Sequence, residues 1–338
     1  MHQLSVPPAG GETAGRAGSP QAWQGAARLR FQRDAGGITR HQGGATAPLK
    51  VQRAFLEGEG RCQLPLLHTA GGLVGGDGLS LTATLEEGSR ALLTSVAAQK
   101  VYGSVGRSRR SPEGAWASQR LRFALAAAAD LEWLPQELVL YAGGLYEQSC
   151  RVDLEPGASW LGAEVVRLGL TAAGEDLGEG RWRSSLEIRR GGSGSVPGRW
   201  ELVERLELGG EALSSAHGMA GQPVLGSLVW AAPERLDETR LSGLLQACRA
   251  DRDGLPGDMA CGPLEQGLLA RYRGPSSTAA RHWFTRIWRR IRAVRGLAEP
   301  VLPRVWPFQE DPLAAAVSPR STRPGPSAPN GSAREPGR

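Results

Sequence analysis

Alternation of apolar and polar residues at period two is the feature that most constrains this chain. In "ARLRF", Ala27, Leu29 and Phe31 alternate with polar residues, and in "LSLTATL" Leu79, Leu81, Ala83 and Leu85 do the same. "RLRFAL" places Leu121, Phe123 and Leu125 on one face, and "YEQSCRVDL" places Tyr146, Gln148, Cys150, Val152 and Leu154 on one face. Side chains of a strand point alternately to its two faces, so each run buries one side of a sheet. The turns between runs repeat a pattern. "LEEGSRALL" (85–93) and "LEPGASWLG" (154–162) each end a strand in Leu, follow with an acid and a Gly, and begin a new strand; "LAAAADLEWL" (125–134) is a degenerate copy. Gly88 and Gly157 suit positions that need positive φ. Leu85, Leu125 and Leu154 are 40 and then 29 residues apart, too irregular for a strict repeat array. The pattern predicts stacked β units of related shape, in a solenoid-like or layered fold, and an ordinary β-sandwich gives similar turns.

Two segments break the period. "PERLDETRLSGLLQACRADRDG", after Pro233 and ending at Gly254, sets Leu241, Leu244, Leu245 and Cys248 on one helical face. "SSTAARHWFTRIWRRIRAVRG" (276–296) carries a stripe of Ala280, Phe284, Ile287, Ile291 and Val294 at helical spacing, with Ser276 or Ser277 as its cap. Between them "GPLEQGLLARYRG" reads as one more strand. Residues 1–20 and 309–338 read as disordered tails rich in Gly, Pro, Ser or Arg, leaving one β domain over 21–308.

The formal charge of +6 raises the alternative of a basic nucleic-acid-binding protein. The basic residues are almost all arginine, with Lys50 and Lys100 the only lysines, and Ala and Gly are abundant, which points first to coding bias. No nucleic-acid-binding motif is found. Cys62, Cys150, Cys248 and Cys261 form no CxxC pair, which fits a reducing compartment. No apolar run reaches the ~18 residues of a membrane span. Together these predict a cytoplasmic protein without membrane or nucleic-acid partners.

"HTAGGLVGGDGLSL" (68–81) packs five glycines around Asp77. Gly71 and Gly76 have P-loop spacing, but Asp77 stands where lysine would neutralise phosphate, and a strand follows instead of a helix. The loop reads instead as a tight turn at Gly75 and Gly76, with the Asp77 carboxylate accepting the turn's own backbone N–H groups. The five histidines form no HxH or HxxxH pair, and there is no GxSxG elbow. Glu132 and Glu137 flank "WLPQE"; as an acid–base pair they define a second alternative, a β-fold hydrolase.

In order along the chain, "GGLVGGD" (71–77), "LLTSVAAQKVYGS" (92–104), "LEWLPQELVLYAGG" (131–144), "VDLEPGASWLGAEVVRLG" (152–169), "GLLARYRG" (267–274) and "LPRVWPF" (302–308) resemble the urease accessory protein UreD (UreH) family. The residues that carry the resemblance are Gly71, Gly72, Gly75, Gly76, Asp77, Lys100, Tyr102, Trp133, Pro135, Glu137, Arg271, Tyr272, Arg304 and Trp306. "AAQKVYGS" departs from the family's frequent "GATKFYRS", and Arg273 stands where leucine is usual.

The resemblance implies a mainly β, layered and solenoid-like fold with two helices near the C-terminal end. It implies a maturation scaffold, not an enzyme, that docks on the urease apoprotein. With UreF, and through it the GTPase UreG, such a scaffold supports insertion of nickel into the urease active site. No cofactor is expected to bind tightly; nickel passes through transiently. Asp77, Glu132, Glu137 and Glu164 are the oxygen ligands such a path would offer, and a conduit binds weakly, so it needs no His/Cys cluster. On the last helix Trp283, Trp288, Arg289 and Arg292 are candidate partner contacts, because aromatic and arginine side chains concentrate at interfaces.

Overall fold

A computed structural model of the protein describes residues 22–191, 198–306 and 311–313. In chain order the strands are β1 (Gln24–Arg33), β2 (Thr39–Ala45), β3 (Leu49–Val51), β4 (Phe55–Glu57), β5 (Arg61–His68), β6 (Gly78–Leu85), β7 (Arg90–Ser95), β8 (Gln99–Val101), β9 (Ala117–Leu125), β10 (Asp130–Trp133), β11 (Leu138–Leu140), β12 (Leu145–Leu154), β13 (Ser159–Leu168), β14 (Arg181–Arg190), β15 (Arg199–Leu208), β16 (Val224–Ala231), β17 (Asp258–Leu264) and β18 (Gly267–Gly274). Helix α1 (Glu238–Ala250) precedes β17, and α2 (Ser277–Val294) follows β18.

The strands form a seven-stranded sheet, in the order β15-β14-β12-β9-β6-β1-β2, and an eleven-stranded sheet with the path β17-β18-β16-β13-β10-β7-β5-β3. From β5 to β14 the chain alternates between the sheets, and the strands stack in parallel on both sides: β6, β9, β12 and β14 on one, β5, β7, β10 and β13 on the other. This is the two-sided solenoid expected from the alternating runs, capped by antiparallel strands at each end. The repeated turns fall in register, since Leu85 pairs with Leu125 and Leu125 with Leu154. Gly88 and Gly157 have φ of 64° and 76°, and Ala128 holds the same left-handed place in the degenerate copy at 56°. The uneven spacing comes from the loop between β8 and β9 (102–116), which is much longer than its counterpart between β11 and β12 (141–144), whereas β8 and β11 are themselves equivalent, paired strands of the two coils.

The alternating apolar residues face inward as expected: Leu29, Phe31, Leu81, Leu85, Leu121, Phe123, Val152 and Leu154 are all buried between the sheets. A second core lies on the other side of the eleven-stranded sheet, where Trp230, Leu268 and Tyr272 meet the stripe Ala280, Phe284, Ile287 and Ile291 of α2. Sheet, sheet and helices thus make three layers. Ser276 caps α2 by accepting the N–H of Ala279 at 3.1 Å, and Asp237 caps α1, which begins later than the sequence pattern suggested.

One expectation changes. "GPLEQGLLARYRG" is not one strand: its first residues belong to β17 and the rest to β18, which pair as an antiparallel hairpin closing at Leu264 and Gly267. The predicted N-terminal tail (1–20) lies outside the described residues. Within the predicted C-terminal tail (309–338), residues 311–313 lie against α2, where the carbonyls of Pro312 and Leu313 accept hydrogen bonds from Arg286 and Arg289; the rest of that segment is outside the described residues.

Candidate functional site

The motif-bearing residues gather in three places. At one end of the solenoid the glycine loop packs on β8. Leu73 donates its N–H to the Lys100 carbonyl at 2.8 Å and accepts from the Tyr102 N–H at 2.9 Å. Tyr102 stacks on Tyr141 with centroids 5.1 Å apart. Gly71, Gly72, Gly75, Gly76, Asp77, Lys100 and Tyr102 therefore share one surface. Gly76 has φ of 97°, whereas at Gly75 a Cβ would lie 2.6 Å from the Ala115 carbonyl oxygen, so the two glycines are needed for different reasons. Asp77 is buried. Its carboxylate accepts the N–H of Val74 at 2.9 Å and of Trp23 at 2.8 Å. One oxygen is held by the turn's own backbone and the other by the segment leading into β1, so Asp77 is spent on tying the loop to the first strand.

The second place is the outer face of the eleven-stranded sheet under α2. Asp130 and Glu132 project there from β10, opposite in direction to the inward Leu131 and Trp133. Glu132 accepts from the Trp288 indole at 2.8 Å and from Arg292 through Nε at 2.8 Å and Nη2 at 2.6 Å. Arg292 also reaches Glu57 at 2.7 Å. Asp130 binds Arg61 at 2.6 Å and Arg295 at 2.8 Å. Three acids thus meet three arginines in a buried network. Burial works against the Arg61 cation, but Glu132 and Asp130 outweigh it and hold its pKa above the ordinary value. Burial would likewise raise Asp130, but Arg61 and Arg295 hold it well below the usual carboxylate range.

This network corrects the helix reading. Trp283, Trp288 and Arg292 are buried, with exposures of 0%, 0% and 3%, and cannot face a partner in this fold. The helical stripe is wider than its aliphatic positions indicate, because the acids of β10 draw in an arginine that the period alone places at the surface. Of the four predicted contacts only Arg289 keeps solvent access, half-buried and bonded to the Leu313 carbonyl at 2.9 Å. The network also removes the acid–base pair of the hydrolase reading: Glu132 is held by Arg292 and Trp288, and Glu137 takes Arg281 at 3.3 Å. Nearby, Trp306 packs on Trp288 at 5.9 Å and donates to Thr94 at 2.9 Å, and with Pro135 it lines a small cleft. Arg304 lies over the Phe55 ring at 5.7 Å.

The third place is a cavity of about 50 Å³ between the sheets near β12–β16, large enough for water. Here the inward positions turn polar. Glu164, Ser227 and Arg271 lie side by side on β13, β16 and β18. Gln119, Gln148 and Ser184 form the matching row on the seven-stranded sheet. Gln148 donates to Glu164 at 2.5 Å, and Arg271 pairs with Glu204 of β15. The indole nitrogens of Trp160 and Trp182, which line the cavity, have no hydrogen-bond partner among the described residues. Burial pushes the Glu164 carboxyl up to about 7, against the pull of the Gln148 amide and Arg271, with Glu204 adding to the rise. The surface Glu164 retains is cavity wall. Tyr272, next to Arg271, points to the other side of the sheet and donates to the Pro256 carbonyl at 3.0 Å.

Of the four predicted nickel-path acids, then, the structure brings no two together. Asp77, Glu132 and Glu137 are each held by backbone or arginine, and Glu164 alone lines a cavity. Among the described residues no group of three or more His, Cys, Asp or Glu is placed to hold a metal ion. The four cysteines are buried and free. No described helix is long and apolar enough to cross a membrane. Glu204, Gln148 and the Arg61–Asp130–Glu57–Arg295 set were not identified from the sequence.

Fold and sites define a two-sheet β-solenoid with helices on one face, in which Asp77, Asp130 and Glu132 are buried and held by backbone or arginine while Glu164 lines a cavity between the sheets. The family described as "UreD urease accessory protein" matches residues 24–307. The urease accessory protein UreD of Synechococcus sp. (strain RCC307) is 59% identical over 300 residues, covering 89% of this chain and 95% of the relative. The UreD of Parasynechococcus marenigrum (strain WH8102) is 59% identical over 295 residues, 87% and 94% of the two chains. The UreD of Prochlorococcus marinus (strain MIT 9303) is 61% identical over 274 residues, 81% and 91%. The chain belongs to the UreD family of urease accessory proteins.

Proposed function

We propose that the chain is a cytoplasmic maturation scaffold for urease. It docks on the urease apoprotein and joins UreF, through which the GTPase UreG delivers nickel, and it turns over no substrate of its own. The observation that carries this reading is the family membership, over nearly the whole folded part of the chain. The cavity supports a finer reading, in which nickel passes between the sheets. Glu164, with a pKa near 7, is only partly ionised at neutral pH. An arriving cation must displace its proton, so binding is weak, pH-dependent and readily reversed, as a conduit requires. Gln148 orients the carboxyl.

The test is complementation. In a urease-expressing cell lacking this chain, restoring it should restore both urease activity and the nickel content of purified urease. Urease that acquires its full nickel without the chain contradicts the reading.

A further inference from the structure

Among the described residues no helix covers the outer face of the seven-stranded sheet, and its charge pattern is unusual. Across adjacent strands Arg28 lies beside Thr82, Thr82 beside Arg122, Arg122 beside Arg151, Arg151 beside Glu187 and Glu187 beside Val203. At ~4.8 Å per strand this is one transverse row roughly 24 Å long. Arg120 stands two residues from Arg122 on the same face. Arg151 pairs with Asp153 at 3.1 Å. Arg28, Arg120 and Arg122 are exposed and have no hydrogen-bond or ion-pair partner among the described residues. Like charges directly opposite on neighbouring strands are destabilising, and Arg122 and Arg151 are such a pair. The row ends at the sheet edge on the exposed Val203 (54%), and further along the same edge strand the exposed Trp200 (52%) pairs with Arg189.

Unpaired arginines on a face that carries an exposed tryptophan at its edge have the composition of an interface. Strands of eight to ten residues across this width give a face of roughly 600–800 Å², close to one partner's share of a stable interface. Ion pairs interleaved on the same face, Asp153 with Arg151 and Glu187 with Arg205, give it alternating charge that suits a protein surface of mixed charge and net acidity better than a uniform polyphosphate. We propose that this face docks a carboxylate-rich surface of the urease apoprotein; the identity of the partner rests on the function proposed above.

The test uses the full chain and two triple variants, Arg28→Glu/Arg120→Glu/Arg122→Glu and the milder Arg28→Gln/Arg120→Gln/Arg122→Gln. Thermal melts should match wild type, since the side chains are exposed. Association with purified urease apoprotein, followed at low and high salt, should slow by roughly tenfold or more in the Glu variant and by less in the Gln variant. The salt dependence seen with wild type should largely vanish in the Glu variant. Urease binding that is equal in all three proteins overturns the docking face while leaving the scaffold reading intact. Wild-type chain that neither binds urease apoprotein nor restores urease activity overturns the scaffold reading and the partner with it. Duplex DNA binding that the Glu variant loses, with urease binding unchanged, assigns the face to nucleic acid and overturns the proposal.

Discussion

Glu132 and Glu164 sit on neighbouring parallel strands of one sheet and both are removed from bulk water, yet their chemistry is opposite. Glu132 faces α2, where Arg292 and Trp288 satisfy both of its oxygens. Glu164 faces the other sheet, where a neutral amide is its hydrogen-bond partner and the nearby Arg271 is paired with Glu204. Burial therefore lifts Glu164 towards neutrality. The lesson is that burial alone does not mark a functional carboxylate. What matters is whether the surroundings have already committed its charge.

The largest effect should come from breaking the committed side. Arg292→Ala leaves Glu57 buried without its cation and Glu132 with only the longer Arg61 ion pair at 3.5 Å, and removing one partner of a buried pair costs about 3–5 kcal/mol. Denaturant titration should show that loss, or no soluble protein at all. Unchanged stability would mean that the network is not holding α2 to the sheet.

The uncommitted side should show itself in pH dependence. The folded-state pKa of Glu164 is raised from 4.5 to about 7. The folded chain thus holds a proton that the unfolded chain releases between these values. The resulting stability is complete below pH 4.5 and is lost as pH rises through about 7. Glu164→Gln should remove this decline, making the variant more stable than wild type at pH 8 by an amount on the order of 3 kcal/mol at most. Asp130 acts in the opposite sense: held low by Arg61 and Arg295, it contributes above the ordinary carboxylate pKa and is lost on acidification. Parallel pH series of wild type and Glu164→Gln separate the two regions, and curves that coincide throughout would place Glu164 in a better-solvated setting.

Smaller effects bound the comparison. Gly76→Ala forces a Cβ onto a residue at φ of 97° and should cost about 1 kcal/mol, read as a shift of the denaturation midpoint. Arg289→Glu, on the half-exposed side of α2, should change stability by less than about 1 kcal/mol. That contrasts with Arg292 three residues away.

The difference between the two carboxylates was only partly legible in the sequence. Glu164 shares the inward parity of Trp160, Val166 and Leu168, and Glu204 that of Leu202, Leu206 and Leu208, so period two alone marks both as charges on a core face. That signal was available for Glu204 and went unread. Glu132 has outward parity and looks solvent-facing. Its burial depends on a helix some 160 residues further on, and local periodicity carries no information about such a contact. The same gap explains Trp288 and Arg292, whose helical positions look amphipathic until the sheet beneath them proves to be charged. The solenoid itself was legible, because its turns repeat their chemistry and its strands their parity. The β17–β18 hairpin was not, because Gly262 and Pro263 blur the alternation where the first strand ends.

The most direct measurement is the nickel content of urease purified from cells whose only copy of this chain is Glu164→Gln, beside wild type and at matched chain abundance. The expected result is a folded, soluble variant that associates with urease normally but leaves it several-fold poorer in nickel. Urease loaded as fully by Glu164→Gln as by wild type would contradict a route between the sheets and reduce the cavity to a packing defect.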